Sequence, residues 1–180
     1  MRNGNAQVES LWVKIRDQAN RGNLVVGVYY RPPDQEEEVD EEFFLQLQEA
    51  SRSQALILTG EFNHPDICWK SGTANCKQSR KLRECIEDNF LVQVMESLTR
   101  GEALLDLLLT NAEELIGEVK TGGSLGCSNH AVVEFSVLRG TGWVISRVRT
   151  LNHYIGCPWQ GVGSRELQRA ICEKRPGAAL

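Results

Sequence analysis

The stretch from residue 24 to residue 65 decides the fold class: it opens with LVVGVYYRPP (24–33) and closes with LILTGEFNHP (56–65). Both ends begin as nearly continuous β-favouring apolar runs, the pattern of strands buried on both faces. Pro32 and Pro33 stop the first run, because proline has no N–H to give a sheet ladder. The second run, Ala55 to Thr59, stops at Gly60. Between them, Asp34 to Glu42 is acidic and reads as the solvated start of a helix, where carboxylates complement the dipole. Phe43, Phe44 and Leu47 then supply an apolar face that carries the helix to about Ser51.

The same alternation extends outward. Leu11 to Ile15 alternates apolar and polar, as a strand does. Lys77 to Phe90 fits an amphipathic helix with Leu82, Cys85, Ile86 and Phe90 on one stripe. Strands are expected at Leu91 to Met95, at Leu104 to Leu109 before a turn at Thr110-Asn111, weakly at Glu118 to Thr121, and strongly at Ala131 to Leu138. Alternating strands and helices argue for an α/β class, and strands buried on both faces for a layered sandwich. After Gly140 the pattern weakens, and residues 156–163 are rich in Gly, Pro and Trp. The expected organisation is one domain over residues 1–140 and an irregular tail over 141–180, with at most a short helix near Arg165 to Glu173.

Bulk properties narrow the function classes. The formal net charge of −4 excludes a generally basic nucleic-acid binder but not a nuclease, which needs acidic ligands for a cation. The six cysteines form no CxxC pair, and no histidine lies at zinc-finger spacing. They read as reduced, mostly structural thiols. Met1 to Glu9 has no secretory character, and no apolar run approaches the roughly 20 residues of a membrane helix. A nuclear or cytoplasmic protein without a membrane partner is expected.

Polar groups gather at the ends of buried strands: Tyr30 with Arg31, Glu61 with Asn63, and Ser128-Asn129-His130. Asp106 stands alone inside an apolar strand. A buried carboxylate is costly unless paired, so Asp106 either holds an imidazole in one tautomer, with His130 the candidate, or caps a turn or faces solvent on an edge. Glu61 and Asn63, two residues apart on a strand end, point to one side. They either position a water or a metal-bound water or form part of a plain Gly/Asn/Pro turn. His64 reads as loop, His153 has no role, and the tryptophans read as packing residues.

Four segments, GVYYRPP (27–33), LILTGEFNHPDICW (56–69), ALLDLLLTN (103–111) and LGCSNHAVVEF (125–135), occur in the order and at the spacing of a known series. They resemble the later motifs of the endonuclease/exonuclease/phosphatase superfamily, in the form found in jockey-like, LINE-type non-LTR retrotransposons. The resemblance runs from about Val8 to Arg149. It implies a four-layer α/β sandwich and a phosphodiester hydrolase that uses a divalent cation, usually Mg2+, to nick target DNA for a reverse transcriptase. By that resemblance Tyr30 helps hold the phosphate, Glu61 orients the attacking water, Asn63 contacts the transition state, and Asp106 orients His130. Asn129 stands at a metal-associated aspartate position.

The chain departs from the family at GEFN, where the motif has an aspartate for Glu61, and at SNH, where it has an aspartate for Asn129. The early asparagine and the principal metal-binding glutamate have no counterpart before ESLWVKI (9–15). The expectation is therefore a partial sandwich lacking its N-terminal portion, truncated and catalytically impaired, with uncovered sheet surface that favours self-association. The alternative is a non-catalytic module that still grips nucleic acid or phosphate, with Arg31, Lys77, Arg80 and Arg100 as contacts.

Overall fold

A computed structural model describes residues 7–16, 23–95, 104–124 and 131–138. The chain divides into two compact units, Met1–Glu113 and Glu114–Leu180. The first holds a mixed five-stranded sheet in the order β1-β2-β3-β7-β6. Its strands are β1 (Glu9–Arg16), β2 (Asn23–Tyr30), β3 (Ala55–Glu61), β6 (Val92–Gln93) and β7 (Asp106–Thr110). Helix α1 (Glu37–Ser51) crosses from β2 to β3, so these two strands run parallel; the other neighbours are antiparallel. A small hairpin, β4 (Ile67–Cys68) and β5 (Thr73–Ala74), leads into α2 (Lys77–Asp88). The α/β class read from the alternation is the class observed.

Both helices pack on one face of the sheet. Val39, Phe43 and Leu47 of α1, and Leu82 and Ile86 of α2, repeat at helical spacing. They cover Tyr29, Leu56, Leu58, Leu107 and Leu109 in a single buried cluster. The Tyr29 and Phe43 rings stack at 3.6 Å between centroids, and Phe62 meets Tyr29 edge-on at 5.1 Å. Gly27 is required here: a Cβ at that position would lie 2.4 Å from the Trp12 ring. Trp12 packs on this core and donates to Gln46 of α1 at 3.0 Å, so it is the packing residue expected.

Asn111 closes the junction between α1 and β3. Its side chain accepts from Leu56 N at 2.7 Å and donates to the carbonyls of Ser51 and Ser53 at 3.3 and 3.2 Å. Thr110 belongs to the end of β7 and donates to Leu56 O at 2.7 Å. The second unit contains β8 (Ile116–Ser124) and β9 (Ala131–Val137), paired antiparallel with two register irregularities, and Val133 and Phe135 are buried.

The structure corrects three expectations. Burial on both faces holds for β3 and β7, whereas β2 leaves Val25, Val26 and Tyr30 half-buried. The acidic start of α1 is not wholly solvated: Asp40 is buried against Arg31, with Arg31 Nε to Asp40 Oδ1 at 2.8 Å and Nη2 to Oδ2 at 2.9 Å. Helix α2 ends at Asp88, and Phe90, expected on its apolar stripe, sits beyond the cap at φ 55° and is 85% exposed. Among the described residues, Cys68, Cys76 and Cys85 are free thiols, the first two exposed and the third packed partly against the core. The tail over 141–180 lies outside the described residues. Among the described residues, no helix is long and apolar enough to cross a membrane.

Removing one partner of a buried ion pair leaves an uncompensated charge and costs about 3–5 kcal/mol. Asp40→Ala is expected to lose that much in urea unfolding, while the double change Arg31→Met with Asp40→Leu recovers most of it. Equal losses in the two variants would remove the pair as the source.

Candidate active site

Strand register brings the polar residues of distant segments into one line. Tyr30 of β2 is paired with Glu61 of β3, and Glu61 with Asp106 of β7. Residues paired in register share a face of the sheet, and their chain neighbours Tyr29 and Leu107 belong to the helix-side core. Tyr30, Glu61 and Asp106 therefore stand on the opposite face, at one end of the sheet. At strand spacings of about 4.8 Å, the row spans roughly 10 Å. Glu61 is only 1% exposed, and Tyr30 and Asp106 are half-buried.

Glu9 extends this row, because it pairs with Tyr30 on β1; partial burial raises its pKa. Sequence reading passed over it. The available signal was the alternation of ESLWVKI, which puts Glu9 on the face of Leu11, Val13 and Ile15 and Trp12 on the other.

Beyond Glu61 the chain leaves the sheet abruptly. Gly60 has φ 152°, and a Cβ there would fall 1.8 Å from Tyr29 O, so only glycine fits. Asn63 adopts the left-handed region at φ 50°, where asparagine is tolerated. Strand alternation thus ends at Glu61 and cannot set the direction of Asn63. The Asn63 position is set by a hydrogen bond from Nδ2 to Arg31 O, at 2.6 Å. Arg31 N in turn donates to Glu61 O at 2.9 Å.

Arg31, expected as a phosphate contact, turns its guanidinium inward. Nε and Nη2 engage Asp40 while Nη1 donates to Pro32 O at 3.3 Å, and the residue is 5% exposed. Gln35 Nε2 adds donations to Asp40 Oδ1 at 2.7 Å and to the Tyr29 hydroxyl at 2.9 Å. Arg31 therefore positions Asn63 rather than presenting a free cation. Lys77 bridges to Glu37 at 2.8 Å, and Arg80 donates to Asn75 O at 2.7 Å. Arg100, Asn129 and His130 lie outside the described residues, as does any pairing of Asp106 with His130.

His64, read as a loop residue without a role, is in a loop but buried, with Nδ1 2.9 Å from Ser79 Oγ. Burial, reinforced by the nearby Arg31 charge, pushes its pKa down to about 4.

Glu61 and Asp106 stand directly opposite on adjacent strands, and carboxylate oxygens are donors that magnesium-type ions take.

The family model described as endonuclease-reverse transcriptase matches residues 24–134, more than half of the chain, including Tyr30, Glu61, Asn63, Asp106 and His130. Among solved structures, the chain is similar to the endonuclease domain of TRAS1, a telomere-specific non-LTR retrotransposon, with 18% sequence identity and a TM-score of 0.56. That match covers 71% of this chain and 61% of the other, and at this identity the likeness is one of fold. No curated protein matches the chain.

The low pKa of His64 has a pH signature. A histidine kept neutral when folded lets the unfolded chain take up the proton first. Its contribution is complete above about pH 6.5 and is lost as pH falls from 6.5 toward 4, about 3 kcal/mol in all at 1.36 kcal/mol per unit. Urea unfolding across that window is expected to be markedly flatter for His64→Gln than for the unmodified chain. An imidazole resonance for His64 titrating near 6.5 by NMR would contradict this.

Proposed function

Because the chain belongs to the endonuclease-reverse transcriptase family, we propose that the row of Tyr30, Glu61 and Asp106 is a DNA phosphodiester-cleaving centre weakened by two substitutions. The observation that supports it best is the register itself, which gathers residues from three motifs onto one sheet end.

Each residue has a task in that reading. The Tyr30 hydroxyl and the Asn63 amide hydrogen-bond to a phosphate oxygen, stabilising charge that builds during cleavage. Glu61 orients the attacking water and takes up its proton. Asp106 holds His130 in one tautomer and favours its charged form beside an anionic phosphate. By the family resemblance, Asn129 would be a ligand of a magnesium ion, which when bound supplies positive charge to the phosphate. Arg31 acts indirectly, because its carbonyl fixes Asn63.

The impairment follows from the chemistry of the substitutions. Glutamate in place of aspartate at position 61 keeps the charge but adds a methylene on a strand end that Gly60 already packs tightly against Tyr29 O. A displacement of about 1 Å at a reacting group costs on the order of 100-fold. Asparagine at position 129 keeps an oxygen donor but removes its charge, weakening cation affinity.

The test is nicking of supercoiled plasmid with magnesium. The unmodified chain is expected to nick feebly or not at all. Glu61→Asp combined with Asn129→Asp is expected to raise the rate by roughly 100-fold or more, and adding His130→Ala to that background to abolish it. Efficient magnesium-dependent, His130-dependent nicking by the unmodified chain would refute the impairment. A doubly restored protein that binds magnesium but does not nick would refute the assignment of the centre.

A further inference from the structure

A second group of ligating side chains lies outside the row, where the loop after β3 meets the start of α2. The ligand-type atoms of His64, Asp66 and Cys76 lie within 4.8 Å of one another. Cys76 Sγ is 3.6 Å from Asp66 Oδ1. Ser79 sits between them. Its Oγ is 2.9 Å from His64 Nδ1, accepts from the Cys76 thiol at 3.0 Å and donates to Asp66 Oδ1.

We propose that His64, Asp66 and Cys76 bind one zinc ion, with the Ser79 hydroxyl or a water in the fourth position. Nitrogen, oxygen and sulfur donors in this mixture are the set zinc takes. For bonds of about 2.0–2.3 Å, a tetrahedral ion needs its ligand atoms roughly 3.3–3.6 Å apart. The Cys76–Asp66 edge is 3.6 Å, and His64 needs to close by at most about 1.5 Å from the 4.8 Å limit.

Charge supports the assignment. The thiolate and the carboxylate neutralise the ion, so the positive end of α2 faces a neutral cluster rather than a cation. Ser79 N already donates to Cys76 Sγ at 3.3 Å, and Asn75 N and Cys76 N donate to Asp66 Oδ2 at 2.9 and 2.7 Å. The donors to Asp66 favour its anionic, ligating form. Burial opposes it, yet they hold the Asp66 carboxyl down to about 2. His64 is neutral near pH 7 for the reason given above, as a ligand must be. Binding releases the Cys76 thiol proton to solvent and shifts the His64 proton from Nδ1, where it faces Ser79 Oγ, to Nε2. Cys76 is exposed and Asp66 half-buried, which leaves an entry path from solvent.

The consequence is a clamp. Zinc would tie the loop that carries Asn63 to the first turn of α2. It would do so independently of whether the row cleaves DNA.

Cobalt(II) is the probe, titrated into the full chain after stripping with a chelator. One equivalent is expected to give the visible bands of a tetrahedral ion and a thiolate-to-cobalt charge-transfer band, both erased by zinc. Cys76→Ser, a change at an exposed position, is expected to remove the charge-transfer band and weaken binding by more than about tenfold. His64→Gln is expected to keep the charge-transfer band but lose affinity by a similar factor. Cys68→Ser and Cys127→Ser should change neither. Absence of a charge-transfer band in the unmodified chain, or its survival in Cys76→Ser, overturns the proposal. Both results are read without any nicking assay, so they stand apart from the fate of the catalytic reading.

Discussion

The buried pairing of Arg31 with Asp40 holds the centre of the first unit together. Taking two charges out of water costs several kcal/mol per ion, and only good geometry with further hydrogen bonds offsets it. Here the guanidinium meets the carboxylate with two nearly parallel bonds, and Gln35 and Pro32 O satisfy what remains. The side chain of Arg31 thereby fastens α1 to the end of β2. Its backbone does the rest: the N–H extends the ladder to Glu61 and the carbonyl seats Asn63. One residue links the helix layer to the polar end of the sheet, with the helix on one side of it and the candidate chemistry on the other.

Much of this fold is legible in the sequence because it is written in local periods. The apolar face of Phe43, Phe44 and Leu47 foretells α1, and the run ALILT foretells β3. What depends on partners far along the chain is not legible. Nothing local marks Asp40 as the one buried member of an acidic run, because its partner lies across a turn. Nothing local shows that His64 enters the interior, since its environment is built by α2. Phe90 obeys the helical stripe on paper, yet the helix is capped at Asn89 before reaching it.

The candidate site divides along the same line. Motif resemblance named Tyr30, Glu61 and Asp106, but only the pairing of one parallel and one antiparallel ladder puts them side by side. The strand rule failed at Asn63 because the chain turns left-handed one residue past Phe62. Glu9 was overlooked because a glutamate at the head of an alternating strand carries no signal until its partner strand is known. The motif letters identify residue types, and the register determines which of them meet.

Strand β7 fills the place between β3 and β6, and Asn111 beside it reaches back to Ser51, Ser53 and Leu56. During synthesis, therefore, β3 emerges with one edge open and keeps it open while α2 and β6 are made. A ribosome-bound chain stopped before residue 106 would carry both helices and still lack the strand that completes the sheet. Such late, long-range closure slows folding and leaves an adhesive edge in the interval.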